Sequence, residues 1–185
     1  PMLVFSEYQT DTIDLALDFY GYEDCPKNYE FGPSVRDNFV LHFITKGKGV
    51  FHFNKKEIHL EAGDLFLLPK NKVTYYKADE EEPWSYYWIG ISGTKVSDFM
   101  RFSTLHEKGF LKKTEVETEK IGQFMEQLVH KAEASKMTSH YQLHLLSQIY
   151  ELLFLIGEVA PNVQKSYLSP TYQLYLTCKH VIETH

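Results

Sequence analysis

The fold is decided by one stretch: Phe39-Val40-Leu41-His42-Phe43-Ile44-Thr45, then Gly47-Lys48-Gly49-Val50-Phe51-His52-Phe53, then Asn54-Lys55-Lys56-Glu57-Ile58-His59-Leu60, and finally Gly63-Asp64-Leu65-Phe66-Leu67-Leu68-Pro69. Its apolar runs are too short for helices and are punctuated by turn residues, so each reads as a strand. Residues 39–45 form the first. Glycine accepts positive φ without steric cost, so Gly47-Lys48-Gly49 predicts a hairpin into a strand over 50–53. Asn54-Lys55-Lys56 predicts the next turn, before a strand over 57–60. Residues 65–68 are apolar without alternation, which predicts burial on both faces. Further along, 69–72 reads as a loop, 73–77 as a strand, Asp79 to Pro83 as an acidic loop and 84–91 as a strand. Strands this short, recurring about every 8–12 residues between turn signals, predict an all-β barrel or sandwich.

Downstream the period changes. Between Glu115 and Lys136, Ile121, Phe124, Met125, Leu128, Val129 and Ala132 fall at helical spacing on one stripe, with Glu and Lys opposite. Met137-Thr138-Ser139 predicts a break, and a second helix follows over roughly 140–158. It carries two stripes: Leu143, Leu146, Tyr150 and Leu153 on one, and Leu145, Ile149, Leu152 and Ile156 on its neighbour. A helix apolar around so much of its girth must be covered on more than one side. One stripe can dock on the barrel or the first helix while the other meets a partner subunit. The first stripe is assigned to that interface. Pro161, Asn162, Ser166, Ser169 and Pro170 mark 159–170 as a linker, and helical spacing resumes over 171–185.

The chain has 185 residues and a net charge of −6, which fits one globular domain with a small appendage. That charge argues against direct nucleic-acid binding by these residues, because phosphate affinity comes from clustered Lys and Arg. Cys25 and Cys178 are far apart and lack CxxC spacing, so neither a disulfide framework nor a zinc site is expected. With no apolar run long enough for a membrane span, the chain reads as soluble and cytoplasmic. The aromatic residues, 13 Tyr, 13 Phe and 2 Trp, suit both strand cores and carbohydrate-sized pockets.

The segments Gly21-Tyr22-Glu23-Asp24-Cys25, Phe31-Gly32-Pro33-Ser34-Val35-Arg36-Asp37, Leu41-His42-Phe43 and Gly47-Lys48-Gly49 resemble the effector domain of AraC-type transcription regulators. Gly63 to Pro69, Tyr75 to Asp79, Pro83 to Ile89 and Gly93 continue the likeness over nearly the whole chain, closest to sugar-operon regulators of Gram-positive bacteria such as those for raffinose or multiple-sugar utilisation. The resemblance implies a cupin-like barrel (1–113) that binds a carbohydrate effector, and a helical dimerisation region (114–158) making a homodimer. It further implies a linker (159–170) and, over 171–185, the start of a helix-turn-helix domain through which the regulator contacts operator DNA. No enzyme activity, cofactor or membrane partner is expected of such a fragment.

Within that frame the candidate site residues are weighed by their chemistry. Metal-binding cupins need closely spaced His and Glu ligands; His42, His52 and His59 lie on separate strands without an HxH pair, so no metal is expected. Sugars present C–H faces to aromatic rings and hydroxyls to fixed polar groups. Strand alternation puts Tyr86 and Trp88 on one face and Tyr87 and Ile89 on the other. The resemblance matches Trp88 to a sugar-stacking ring and places Tyr76 and Tyr86 at pocket-lining positions; the alternative is that all three are barrel core. The Arg36 fork suits vicinal hydroxyls, or else it pairs with Asp37, Glu30 or a loop carbonyl. His42 can bond a hydroxyl, or serve as a satisfied core histidine. The competing class is a small cupin enzyme such as a sugar isomerase or epimerase.

Overall fold

The computed structural model describes residues 4–7, 13–134, 139–163 and 170–184. Two antiparallel sheets face one another. The larger runs β1 (Val4–Glu7), β2 (Ala16–Asp24), β9 (Ser85–Ser92), β4 (Phe39–Lys46), β7 (Leu65–Leu68) and β10 (Phe110–Leu111) in spatial order. The smaller runs β3 (Glu30–Ser34), β8 (Thr74–Ala78), β5 (Lys48–Phe53) and β6 (Lys56–Glu61). Together they form a cupin-like barrel, and the helices follow it in the chain.

Side-chain alternation divides the interior into two cores. Phe39, Leu41 and Phe43 of β4, Leu65 and Leu67 of β7, and Ile89 and Ile91 of β9 point outwards into one cluster. Val40 and Ile44, Phe66 and Leu68, and Tyr86 and Trp88 point inwards, into the lumen between the sheets. Burial on both faces is why β4 and β7 lack a polar alternation. The outer cluster is closed by α1 (Thr94–Met100), α3 (Thr118–Ala134) and α4 (Ser139–Val159), with α2 (Leu105–Lys108) at the barrel end. Ile121, Met125, Leu128, Val129 and Ala132 of α3 are buried as their spacing predicts, with Phe124 at the margin. The smaller sheet turns Ile58 and Leu60 inwards and Glu57 and His59 to solvent.

Two expectations are corrected. The chain does not fold back at Gly47-Lys48-Gly49. β4 is flanked on both edges, by β7 and β9, so no edge is left for β5, and the chain crosses to the other sheet at Gly47 with φ 71°. The tight hairpin lies one strand later, where Asn54 and Lys55, both at positive φ, join β5 to β6. On α4, Leu153 does not belong to an exposed stripe: it is 5% exposed and packs in the outer cluster with Leu145, Ile149, Leu152 and Ile156. Leu146 is half-buried against the same cluster, while Leu143 and Tyr150 face solvent together with Phe154. The described residues just after α4 are held by backbone hydrogen bonds. The Thr104 N–H donates to the Ala160 carbonyl at 2.9 Å, and the Asn162 N–H donates to that of Phe102 at 2.7 Å.

Strands β1 to β3 and β10 and the short helices α1 and α2 are additions to the sequence reading. The break at Met137-Thr138 and the linker residues Ser166 and Ser169 lie outside the described residues. Helix α5 (Pro170–Glu183) has its described side chains exposed, Leu174 and Ile182 among them. Cys25 and Cys178 are both free thiols. Among the described residues no helix is long and apolar enough to cross a membrane.

Candidate functional site

The lumen is filled at one end and open at the other. Phe51, Phe66 and Trp84 are fully buried, with Phe66 stacked on Trp84 at 5.2 Å between centroids. These rings are core. In front of them lies a cavity of about 440 Å³, within the roughly 300–1,000 Å³ of small-molecule sites. Somewhat larger clefts on the outer surface, such as one of about 660 Å³ beside Lys55, Lys56 and Lys72, are rimmed by solvated charges.

Each wall of the cavity comes from a different element. β2 supplies Phe19 and Glu23, β9 supplies Tyr86 and Trp88, β4 supplies Val40 and His42, β7 supplies Leu68 and β8 supplies Tyr76. The segment between β2 and β4 closes the remaining side with Tyr29, Phe31 and Arg36. All five predicted ligand-site residues, Arg36, His42, Tyr76, Tyr86 and Trp88, therefore line one cavity. Phe19, Glu23, Tyr29, Phe31, Val40 and Leu68 were not anticipated. For the two residues of β2 among them, Phe19 and Glu23, the signal is register: Glu23 pairs with Tyr86 and Gly21 with Trp88, which puts Glu23 and Phe19 on the lumen face.

The aromatic part is ordered by close packing. Phe19 and Trp88 lie 5.4 Å apart at 58°, and Phe19 reaches that place because its ring covers Gly90, where a Cβ would come within 2.1 Å of it. Phe31 stacks on Tyr76 at 5.6 Å. His42 lies face to face on Phe66 at 4.3 Å and edge-on to Tyr86 at 4.9 Å.

The polar part is under-satisfied. The Arg36 guanidinium stands 4.9 Å over the Phe31 ring and 5.7 Å from that of Phe19. Among the described residues it makes no ion pair, so the predicted alternatives of Asp37 and Glu30 are not used; the Glu30 carboxylate instead accepts from the Tyr75 hydroxyl at 2.6 Å. Arg36 Nε and His42 Nδ1 are buried without a hydrogen-bond partner among the described residues. His42 is thus a core histidine, 3% exposed, but an unsatisfied one. Burial, with the Arg36 charge second, pushes its pKa down to about 3, so the ring is neutral. Burial likewise pushes up the hydroxyls of Tyr76 and Tyr86, which stay protonated, and it raises the Cys25 thiol to about 12. The Tyr86 hydroxyl donates to the Glu23 carboxylate at 3.1 Å, and burial raises that carboxyl above its ordinary range.

Chemically, the site offers flat apolar rings with hydroxyl, guanidinium, imidazole and carboxylate groups around them. The three barrel histidines diverge: His42 faces the lumen, whereas His52 and His59 lie on the outer surface near Glu57, at 3.9 and 3.1 Å. Among the described residues no group of three or more His, Cys, Asp or Glu side chains is placed to hold a metal ion.

The sequence profile of the AraC-like ligand binding domain matches residues 16–153. The Msm operon regulatory protein of Streptococcus mutans is 37% identical over 158 residues, which is 85% of this chain and 56% of that protein. The raffinose operon transcriptional regulatory protein RafR of Pediococcus pentosaceus is 41% identical over 100 residues, 52% of this chain and 36% of its own length. This chain spans about half the length, or less, of these curated relatives. Among solved structures, a cupin superfamily protein from Desulfitobacterium hafniense superposes with a TM-score of 0.37 at 14% identity, over 48% of this chain and 76% of that one.

Proposed function

This chain belongs to the family of AraC-like ligand-binding domains, and from that premise we propose that it is the sugar-sensing and dimerisation portion of a regulator of a carbohydrate-utilisation operon. The observation that carries the reading is the lumen cavity, where the Trp88, Tyr76 and Tyr86 rings meet the unpartnered polar atoms of Arg36 and His42. An aromatic platform with donors and acceptors around it is the chemistry that a polyhydroxylated ring with apolar C–H faces requires. The regulators of the Msm and raffinose operons, similar over 85% and 52% of this chain, support the same reading.

A sugar can switch such a protein only by binding two arrangements unequally. The segment ending at Arg36 is the element placed to do so: it contributes Tyr29, Phe31 and Arg36 to the cavity, and β3 within it lies at the edge of its sheet, paired among the described residues with β8 alone. A sugar held by these side chains favours the conformation in which this segment is docked. In this reading 1–113 is the sensing barrel and 114–158 the dimerisation region, through the solvent-facing side of α4 at Leu143 and Tyr150. Residues 159–170 are the linker, and 171–185 open a domain that contacts operator DNA in the cytoplasm.

Thermal shift with a panel of mono-, di- and trisaccharides tests the proposal, and at least one should raise the melting temperature. Conversion of a bound sugar, followed by chromatography, would move the chain to the small-enzyme class. An unchanged melting temperature across the panel would contradict sugar sensing.

A further inference from the structure

Two adjacent acids at the end of β2 have opposite circumstances. Asp24 is satisfied: it accepts from the hydroxyls of Ser85 and Tyr22 and pairs with Lys46 at 3.1 Å. Alternation along the strand turns its neighbour Glu23 to the lumen, where its register partner is Tyr86. There, among the described residues, the Tyr86 hydroxyl is the one hydrogen-bond donor to the Glu23 carboxylate, at 3.1 Å, and Glu23 has no ion-pair partner. A carboxylate has about four acceptor positions, so most of its capacity is open towards the cavity. Two residues back, Gly21 is the register partner of Trp88 and adds no side chain of its own, while Phe19 of the same strand packs on the indole at 5.4 Å.

A half-buried carboxylate without an ion pair is an unfavourable element of a fold, and beyond accepting from Tyr86 the Glu23 carboxylate has no partner among the described residues, whereas Asp24 has three. The groups around the same cavity are complementary to it in kind. Arg36 Nε is an unpartnered donor and His42 Nδ1 an unpartnered ring nitrogen. A hydroxyl both donates and accepts, so a polyol satisfies all three at once. A phosphate does not, because it can only accept near neutral pH and would be placed near the Glu23 charge. Against it the lining offers a single cation, Arg36, since His42 is neutral. An ammonium group, conversely, meets Arg36.

We propose that Glu23 is a specificity-determining residue of this cavity, accepting hydroxyl hydrogens from an uncharged sugar that also accepts from Arg36, and that the pair excludes sugar phosphates. This rests on the sugar-sensing reading above and assigns it a further residue and a charge class.

The test is calorimetric titration of the 185-residue chain with raffinose, lactose and sucrose as neutral probes, and with lactose 6-phosphate and sucrose 6-phosphate as anionic ones. At least one neutral sugar should bind, with its phosphate at least tenfold weaker. Glu23→Gln keeps an acceptor for Tyr86, so its melting temperature should stay at or above that of the parent, while neutral-sugar affinity falls roughly ten- to hundredfold, the range for a lost hydrogen bond to a charged group. Glu23→Asp, which keeps the charge but withdraws it by one methylene, guards against a folding artefact and should also bind more weakly. Parent-like affinity in both variants, or a phosphate that binds more tightly than its neutral sugar, would overturn the assignment while leaving sugar sensing intact. Failure of every probe to bind the parent would instead remove the sugar reading, and this inference with it.

Discussion

Tyr86 and Glu23 face each other across the β2–β9 pair, and the phenol donates to the carboxylate at 3.1 Å inside a cavity lined mostly by rings. The contact orients an acid that has no counter-ion among the described residues, and burial raises its pKa above the ordinary 4.5. For a carboxyl shifted upwards, the ionised form is disfavoured in the fold, so stability is lost as pH rises from 4.5 through the folded-state value. Glu23→Gln should therefore melt at or above the parent temperature at neutral pH without sugar, and the difference should vanish below pH 4.5. Differential scanning calorimetry at the two pH values measures this, and a destabilised Glu23→Gln at neutral pH would contradict it.

His42 makes the opposite contribution. Its folded pKa of about 3 lies below the ordinary 6.5, so the unfolded chain takes up the proton first and stability falls as pH drops from 6.5 towards 3. His42→Phe keeps the stacking on Phe66 and removes the titration, so its acid-unfolding midpoint should move to lower pH, as read by circular dichroism. An unchanged midpoint would show that other groups govern acid unfolding.

Gly90 holds Phe19 in the cavity wall. A Cβ there would fall 2.1 Å from the Phe19 ring, which must then leave its place beside Trp88. Gly90→Ala should cost about 1–3 kcal/mol in denaturant unfolding, the usual range for overpacking, and should weaken any sugar response.

Helix α4 separates assembly from stability. Leu153→Ala removes a core side chain and should cost about 2–5 kcal/mol. Leu143→Glu and Tyr150→Glu lie on the solvent face and should each change monomer stability by less than about 0.5 kcal/mol, yet sedimentation should show monomers where the parent sediments as a dimer. A monomeric parent would contradict the assembly proposal.

How far these features could be read without coordinates depended on whether the deciding signal was local. The six strands from Phe39 to Ile91 and the two long helices were legible because each carries its own period or turn residues. β2 was not: its alternation is interrupted by a register shift between Leu17 and Phe19, and both faces are buried near its start. The turn chemistry of Gly47-Lys48-Gly49 is real, but β4 is already paired on both edges, so the glycine serves a crossing between sheets. Leu153 sits at the edge of the buried stripe of α4, where spacing alone assigns it to either side. Trp88, Tyr86 and Tyr76 were legible as a group because bulky half-polar rings recur on neighbouring strands. Glu23 was not, because in the run Glu23-Asp24 both acids read as solvated until register places one of them opposite Tyr86.

The central claim is that a sugar occupies the lumen against Trp88, and the protein carries its own optical control. It has two tryptophans: Trp84 is fully buried behind the cavity, and Trp88 lines it. Tryptophan emission should therefore change saturably as the thermal-shift-positive sugar is titrated into the parent. Trp88→Phe should retain the Trp84 emission and lose the change. A saturable change of the same size in Trp88→Phe would place the sugar elsewhere and contradict the account.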